Sequence, residues 1–145
     1  MLVCPNVPND TYSDNTSRIC MDICDLGSYG YQATLNCVQS CWWPYYGDPV
    51  TRTCVQYCPE GYFAVNSTAL CRPTCPTNSY ADPVSNRCLV QCPALHRYFD
   101  YDGNWTCLQT CPPGFYANTD LQKCVSICNS SNGMYSYGPT NLCVR

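Results

Sequence analysis

Charged residues are scarce in this sequence, and neither sign dominates. They make up 12% of the 145 residues, with 7 Lys plus Arg against 10 Asp plus Glu and a formal net charge of −3. A nucleic-acid-binding protein usually carries a basic patch, and a polyanionic tail carries acidic runs. Neither pattern is present, so we expect no nucleic acid among the partners of this chain.

Side chains suited to catalysis are also few. The one His, His96, lies in Leu95-His96-Arg97, beside no Ser or acidic residue in a recognisable catalytic motif. The sequence contains no glycine-rich loop of the kind that cradles phosphate. We therefore expect His96 to be an exposed side chain, and we expect no catalytic residues and no enzymatic activity.

Long apolar runs and ordinary core residues are missing as well. No apolar run approaches the roughly 18 residues of a membrane-spanning helix, so we expect no membrane insertion within this segment. The opening MLVCPNVPND lacks the basic and apolar regions of a signal peptide, and any targeting signal is expected outside it. With 3 Phe and 12 Pro, the chain cannot easily offset its conformational entropy by burial. Covalent cross-links are the expected substitute.

Cysteine, by contrast, is abundant. There are 16 in 145 residues, which is typical of a disulfide scaffold and indicates an oxidising compartment. We expect the protein to be secreted or located on an extracellular surface. Seven Cys-x₃-Cys pairs recur, in most cases with a period of seventeen residues. The pairs are Cys20/Cys24, Cys37/Cys41, Cys54/Cys58, Cys71/Cys75, Cys88/Cys92, Cys107/Cys111 and Cys124/Cys128, flanked by Cys4 and Cys143.

Other residues keep the same period. An aromatic residue follows the second Cys of most pairs by five positions, and a small residue follows the aromatic. Asp-Pro and Asn/Ser-rich segments then predict a turn before the next Cys, and Asn132-Gly133 is a hairpin-turn signal in the last spacer. The aromatic–small pairs are Tyr29-Gly30, Tyr46-Gly47, Phe63-Ala64, Tyr80-Ala81 and Tyr116-Ala117.

The repeat predicts a small disulfide-rich fold. We expect an elongated rod of about eight tandem single-disulfide β-finger modules, with little helix and no single shared core. Stacking of the modules at about 10 Å would give a rod on the order of 80 Å. We divide the chain into an atypical N-terminal module (1–19), the tandem seventeen-residue modules (20–128) and a C-terminal module (129–145) that we expect to continue beyond the chain.

The bonding partners of the cysteines are not fixed by their number alone. Seven pairs cannot be grouped into four-cysteine modules without leaving one pair over, whereas closing each nearest loop uses every cysteine. An interlocked arrangement, with Cys54–Cys71 or Cys58–Cys75, is the alternative. The sequential pairing is Cys4–Cys20, Cys24–Cys37, Cys41–Cys54, Cys58–Cys71, Cys75–Cys88, Cys92–Cys107, Cys111–Cys124 and Cys128–Cys143.

The segment Cys54-x₃-Cys58-Pro59-x-Gly61-Tyr62, closed again at Cys71-x₃-Cys75-Pro76, resembles the furin-like cysteine-rich repeats of growth-factor-receptor ectodomains. It is still more similar to long arrays of that type in surface proteins of ciliates and other protists. The resemblance implies the sequential disulfide pattern and an extracellular location, but no activity.

Cysteine and acidic residues can also bind metals. Cys-x₃-Cys fits zinc, but registered tyrosines and twelve-residue loops do not, so we expect no metal and no cofactor other than N-linked glycans. Asp100-Tyr101-Asp102-Gly103-Asn104 is a partial calcium-ligand run that lacks the Glu closing a calcium loop. We expect a turn in a longer loop there.

Two further features point to surface contacts. Five Asn-x-Ser/Thr sequons predict N-glycosylation, and Cys41-Trp42-Trp43-Pro44-Tyr45-Tyr46 concentrates aromatics that suit either disulfide coverage or a contact patch for protein or sugar. The sequons begin at Asn9, Asn15, Asn66, Asn104 and Asn129, and the expected contact patch is Trp42, Trp43, Tyr45 and Tyr46.

These features favour an extracellular structural glycoprotein, a segment or subunit of a repeat array that forms a filament, coat or spacer. Its expected partners are other copies, neighbouring repeats of a longer chain, and glycans. The alternative is a ligand-binding cysteine-rich ectodomain of a cell-surface receptor.

Overall fold

The computed structural model of the chain describes Cys4, residues 11–93 and residues 99–145. The chain divides into two compact units, Met1–Thr74 and Cys75–Arg145. Each unit contains four β-hairpins, which we number 1 to 8 along the chain. Two short 3₁₀-helices, Ser130–Asn132 and Gly138–Thr140, are the only helices in the described residues.

Sixteen strands of three residues each form the hairpins. The first unit contains β1 (Tyr12–Asp14), β2 (Ile19–Met21), β3 (Tyr29–Tyr31), β4 (Asn36–Val38), β5 (Tyr46–Asp48), β6 (Thr53–Val55), β7 (Phe63–Val65) and β8 (Leu70–Arg72). The second contains β9 (Tyr80–Asp82), β10 (Arg87–Leu89), β11 (Phe99–Tyr101), β12 (Thr106–Leu108), β13 (Tyr116–Asn118), β14 (Lys123–Val125), β15 (Tyr135–Tyr137) and β16 (Leu142–Val144).

Each hairpin places a Cys in the middle of its second strand. In hairpin 3 the register is Tyr46 with Val55, Gly47 with Cys54 and Asp48 with Thr53. The other hairpins keep this register, so the residue that follows the aromatic always lies opposite the Cys that closes the module.

Every hairpin is closed by one disulfide, and all sixteen cysteines are used. The bonds follow the sequential pairing expected from the sequence, from Cys4–Cys20 to Cys128–Cys143. Their Cα–Cα separations of 5.5 to 5.7 Å are ordinary for disulfides. The expected disulfide-rich fold of tandem single-disulfide β-fingers is confirmed.

Within each unit, successive hairpins join edge to edge. The first strand of one hairpin pairs in parallel with the second strand of the next, as in Gly47 with Leu70. The strand order is β7-β8-β5-β6-β3-β4-β1-β2 in the first unit and β15-β16-β13-β14-β11-β12-β9-β10 in the second. The modules of each unit therefore join through their strand edges rather than face to face, because unpaired strand edges are satisfied by backbone pairing. Two strands per module at about 4.8 Å each keep the module spacing close to the expected value of about 10 Å.

One backbone hydrogen bond recurs at each of these edges. The middle residue of the first strand donates its N–H to a carbonyl in the next hairpin over 2.7 to 2.9 Å. Six such bonds lie within the two units. Donor and acceptor are Ser13 and Leu35, Gly30 and Arg52, Gly47 and Ala69, Ala81 and Trp105, Asp100 and Gln122, and Ala117 and Asn141.

The accepting residue has an unusual conformation. In all eight hairpins, the residue two positions before the closing Cys is left-handed, with φ from 50° to 58°. No glycine occupies the position, and Asn does so only at Asn86 and Asn141. The left-handed residue ends the four-residue turn, and in six of the eight hairpins its carbonyl accepts the recurring hydrogen bond from the preceding hairpin. The cost of roughly 1 kcal/mol for a non-glycine residue is offset by the recurring hydrogen bond.

The registered aromatics pack across the same edges. Tyr46 in hairpin 3 lies against the Cys58–Cys71 disulfide and Ala64 of hairpin 4. Where the small residue after the aromatic is glycine, the aromatic ring of the preceding hairpin leaves no room for a side chain at that glycine. A Cβ on Gly47 would lie 2.7 Å from the Tyr29 ring and 2.9 Å from Leu70. The small residue is therefore required by the aromatic of the preceding hairpin.

No core is shared by all hairpins in the described residues. Separate clusters instead form around individual disulfides, each with an aromatic from the preceding hairpin. This agrees with the expected absence of a single core. The clusters centre on Tyr46 with Cys58–Cys71, Tyr80 with Cys92–Cys107, Phe99 with Cys111–Cys124, and Met134 with Cys128–Cys143, against which Tyr116 packs.

Turn caps alternate along the chain. Asp48 accepts the Val50 N–H at 2.9 Å and the Thr51 hydroxyl at 2.8 Å, as a turn-capping Asp does. Asp14, Asp82 and Asn118 cap their turns in the same way. These are hairpins 1, 3, 5 and 7. The first-strand residue at this position is Tyr or Val in the even-numbered hairpins, so the turns repeat over two modules.

The predicted hairpin turn at Asn132-Gly133 was wrong. Gly133 has φ 70° and caps the 3₁₀-helix Ser130–Asn132, donating its N–H to the Ser130 carbonyl. This element precedes hairpin 8. The hairpin turn itself is formed by Gly138–Thr140 and the left-handed Asn141.

Candidate contact surfaces

The aromatic segment after Cys41 divides between the surface and the interior. Trp42 and Trp43 are 60% and 82% exposed, and Tyr45 is partly buried. Tyr46, at 2% exposure, is a core residue. Including Tyr46 in the contact patch was therefore wrong: as the first residue of β5 it packs on the next disulfide.

A residue that the sequence analysis did not single out completes this surface. Tyr31, the last residue of β3, contacts Trp42 and Tyr45 edge-on, with ring centroids 5.3 and 5.4 Å apart. We call Tyr31, Trp42, Trp43 and Tyr45 the aromatic patch. Exposed Trp faces suit protein hot spots and sugar rings. A signal for Tyr31 exists in the sequence: it lies two residues after the registered aromatic, on the same face of the strand.

The same geometry occurs in the second unit. Tyr101, the last residue of β11, contacts Phe115 edge-on at 5.1 Å. Phe115 precedes β13 as Tyr45 precedes β5. The edge-on pair is thus a recurring inter-hairpin contact, whereas the two exposed Trp residues are specific to the aromatic patch.

The buried Tyr46 forms a hydrogen bond with the Asn of a sequon. Its hydroxyl donates to the side-chain oxygen of Asn66 at 2.6 Å. N-glycosylation substitutes the amide nitrogen of Asn and leaves the oxygen free to accept. A glycan on Asn66 is therefore compatible with the Tyr46 bond, which would fix the orientation of the amide.

The equivalent position in the second unit holds a carboxylate. The Tyr80 hydroxyl donates to Asp102 at 2.6 Å, and the Lys123 ammonium lies 3.4 Å from both groups. Burial, followed by the bond to Asp102, raises the pKa of Tyr80. Burial alone would lower the pKa of Lys123, but the hydrogen bond to Tyr80 and the charge of Asp102 raise it overall. The network joins three successive hairpins.

Four predicted glycosylation sites are exposed: Asn15, Asn66, Asn104 and Asn129. Asn15, Asn66 and Asn104 lie in hairpin turns, outside the strand pairs that join the modules. Asn129 accepts the Ser131 N–H at 3.0 Å through its side-chain oxygen, which again leaves the amide nitrogen available. Asn9 and His96 lie outside the described residues.

The acidic run 100–104 does not form a joint ligand set. Asp100 is buried in β11 and accepts the Cys92 N–H at 2.8 Å, while Asp102 faces Tyr80 and Lys123. Asp100 also lies close to the sulfurs of Cys92 and Cys107. Because those sulfurs form a disulfide, they are not thiolate ligands. The expected loop turn begins at Asp102, after the strand.

No helix in the described part of the chain is long and apolar enough to cross a membrane. Eight disulfides fit a secreted or extracellular protein. The chain matches no protein-family model, no curated protein and no solved structure.

Proposed function

We propose that this protein is an extracellular structural glycoprotein, a segment or subunit of a disulfide-stapled array that forms a filament, coat or spacer. It acts by assembly rather than by turning over a substrate. The observation that carries the proposal is the repeated edge contact: one strand-edge hydrogen bond and one aromatic–disulfide contact extend the sheet hairpin by hairpin.

This construction suits a spacer because it has no inherent stopping point. Within each unit, each hairpin satisfies one edge of the next, and each interface uses only residues of adjacent modules. The resemblance to furin-like repeats of receptors and of protist surface arrays supports the same role. Exposed sequons in the turns support the glycoprotein part of the proposal, with the glycans directed away from the strand pairs.

The structural role is tested on native material. Electron micrographs should show filaments, a coat, or a much longer polypeptide containing this segment. Glycopeptide mass spectrometry should find N-linked glycan on Asn66 and Asn104. Native material consisting of free 145-residue monomers with unmodified asparagines would contradict the proposal.

The second candidate is a ligand-binding receptor ectodomain, and the aromatic patch favours it. If the patch binds a soluble ligand, Trp43→Ala should abolish binding without changing assembly. Tyr57→Ala is the matched control, because Tyr57 is also strongly exposed in the first unit but lies outside the patch. A structural role for the patch predicts the reverse outcome, with loss of lateral association and no ligand.

A further inference from the structure

Strand β15 has the donor side of the recurring strand-edge interface, but in the described residues no following hairpin supplies the acceptor side. In the six inner edges, the middle residue of the first strand donates to the next hairpin. Ser136 occupies that position in β15, opposite Cys143. Among the described residues its N–H has no acceptor. The preceding aromatic, Tyr135, is 66% exposed, whereas its counterpart Tyr46 is 2% exposed.

Strand β2 presents the complementary half. In the six inner edges the acceptor is the carbonyl of the left-handed residue, and in hairpin 1 the left-handed residue is Arg18, with φ 58°. Within the described part of the chain, the Arg18 carbonyl accepts no hydrogen bond. Ile19, the counterpart of Leu70 in the parallel pair, is 58% exposed. The Cys4–Cys20 disulfide lies in the place that Cys58–Cys71 occupies beneath Tyr46. Cys4 is buried within its own chain, but Cys20 is partly exposed, whereas its counterpart Cys71 is 2% exposed.

We propose that the β15 edge of one chain docks on the β2 edge of a second copy. This inference rests on the proposed structural function and specifies how copies join. The Ser136 N–H donates to the Arg18 carbonyl of the second copy, and Tyr135 packs on its Cys4–Cys20 disulfide. The argument for this occupant is continuity: the contact is the same one that already links hairpins six times within the chain.

The two halves differ, so the contact is heterologous. Each docked copy leaves one free β15 edge and one free β2 edge. Such head-to-tail contacts generate open filaments unless the rotation closes a ring, and pairing through strand edges is an established route to assembly. The docking adds a module boundary without any new type of interaction.

Blocking each edge separately tests the proposal. Tyr135→Lys places a charge on the β15 edge and Ile19→Lys places one on the β2 edge, and both positions are exposed in the single chain. We expect either change to raise the concentration at which half of the chains assemble by at least about tenfold, measured by sedimentation velocity. Tyr57→Lys is the control, because Tyr57 is 76% exposed and belongs to neither edge.

Mixing the two variants gives the sharper result. Tyr135→Lys keeps a working β2 edge, and Ile19→Lys keeps a working β15 edge. Each alone should be monomeric, and the mixture should form one-to-one dimers that do not grow. Dimers of Ile19→Lys alone would reveal β15–β15 pairing and overturn the proposal.

Two other outcomes would also overturn it. If the wild-type chain assembles and both edge variants assemble equally well, the copies join elsewhere, and the structural function stands without this edge contact. If the wild-type chain remains monomeric up to about 1 mM, the edges do not dock, and micrographs of native material decide the structural function independently.

Discussion

Tyr46 and Tyr135 hold the same place in the repeat but have opposite environments. Each begins the three-residue first strand of a hairpin. Tyr46 is buried beneath hairpin 4 and bonded to Asn66, whereas Tyr135 is largely exposed. The hairpin that contains an aromatic residue therefore does not bury it. The next hairpin does, so each module is completed by its neighbour.

Truncating the Tyr46 and Tyr135 rings should give the largest difference in the free energy of unfolding between the two positions. We expect Tyr46→Ala to lower the free energy of unfolding by about 3 to 5 kcal/mol, because it removes a buried aromatic from a disulfide cluster. Tyr135→Ala should change it by less than about 0.5 kcal/mol in the monomer. Denaturant unfolding of the oxidised chain measures both. Equal effects would mean that the rings stabilise their own hairpins.

Adding a methyl group at Gly47, beneath the Tyr29 ring, should have the next largest effect on stability. A Cβ on Gly47 would collide with Tyr29 and Leu70, while a Cβ on Gly138 would have no neighbour within 4 Å. We expect Gly47→Ala to cost about 1 to 3 kcal/mol through overpacking and Gly138→Ala to be nearly neutral. Thermal unfolding by circular dichroism compares them. A neutral Gly47→Ala would show that the Tyr29 ring is free to move away.

Removing the hydroxyl of Tyr46 isolates its polar contribution. Tyr46→Phe should cost about 1 kcal/mol, because it removes the bond to Asn66 and keeps the ring. Asn66→Asp retains an acceptor, as Asp102 does for Tyr80, but destroys the sequon. We expect Asn66→Asp to lose any glycan while remaining near wild-type stability. A loss as large as that of Tyr46→Ala would contradict this division between ring and hydroxyl.

Relieving the left-handed turn should have a small effect of opposite sign. Ala69 has φ 52°, so Ala69→Gly should raise the free energy of unfolding by up to about 1 kcal/mol. Ala64→Gly, in the extended strand β7, should lower it by a similar amount. The pair is measured by denaturant unfolding. A loss of stability at both positions would mean that the left-handed residue is not strained.

The smallest expected effect is on the pH dependence of stability, through the hydrogen bond from Tyr80 to Asp102. The pKa of Tyr80 is raised in the folded chain, so the folded state holds this proton more tightly than the unfolded state. The resulting stability is present below the unfolded pKa and is lost as pH rises through the folded pKa. Tyr80→Phe should therefore flatten the alkaline limb of a pH–stability curve. An unchanged limb would contradict the shift.

Much of the repeat could be predicted from the sequence because it resides in covalent and short-range features. Each module contains the features needed to predict its own β-finger. Examples are the spacing of Cys58 and Cys71 and the aromatic–small pair Tyr46-Gly47. The expectation of separate cores likewise needed only composition.

The features that could not be predicted are the turn conformations and the contacts between modules. Nothing about Leu35, Arg52 or Trp105 favours a left-handed backbone, and the conformation follows from the turn that their hairpins share. The burial of Tyr46 depends on a hairpin later in the chain. Asn132-Gly133 has the composition of a hairpin turn, but the strand positions set by Cys143 move the turn to Gly138–Thr140.

Amide hydrogen exchange at Gly47 and Ser136 tests the central claim most directly. Both residues are the middle residue of a first strand, and in the described part of the chain only the Gly47 N–H donates to a following hairpin. In the monomer, the Gly47 amide should be strongly protected and the Ser136 amide should exchange near its intrinsic rate. Equal protection of the two amides in the monomer would contradict the claim that neighbouring hairpins complete one another.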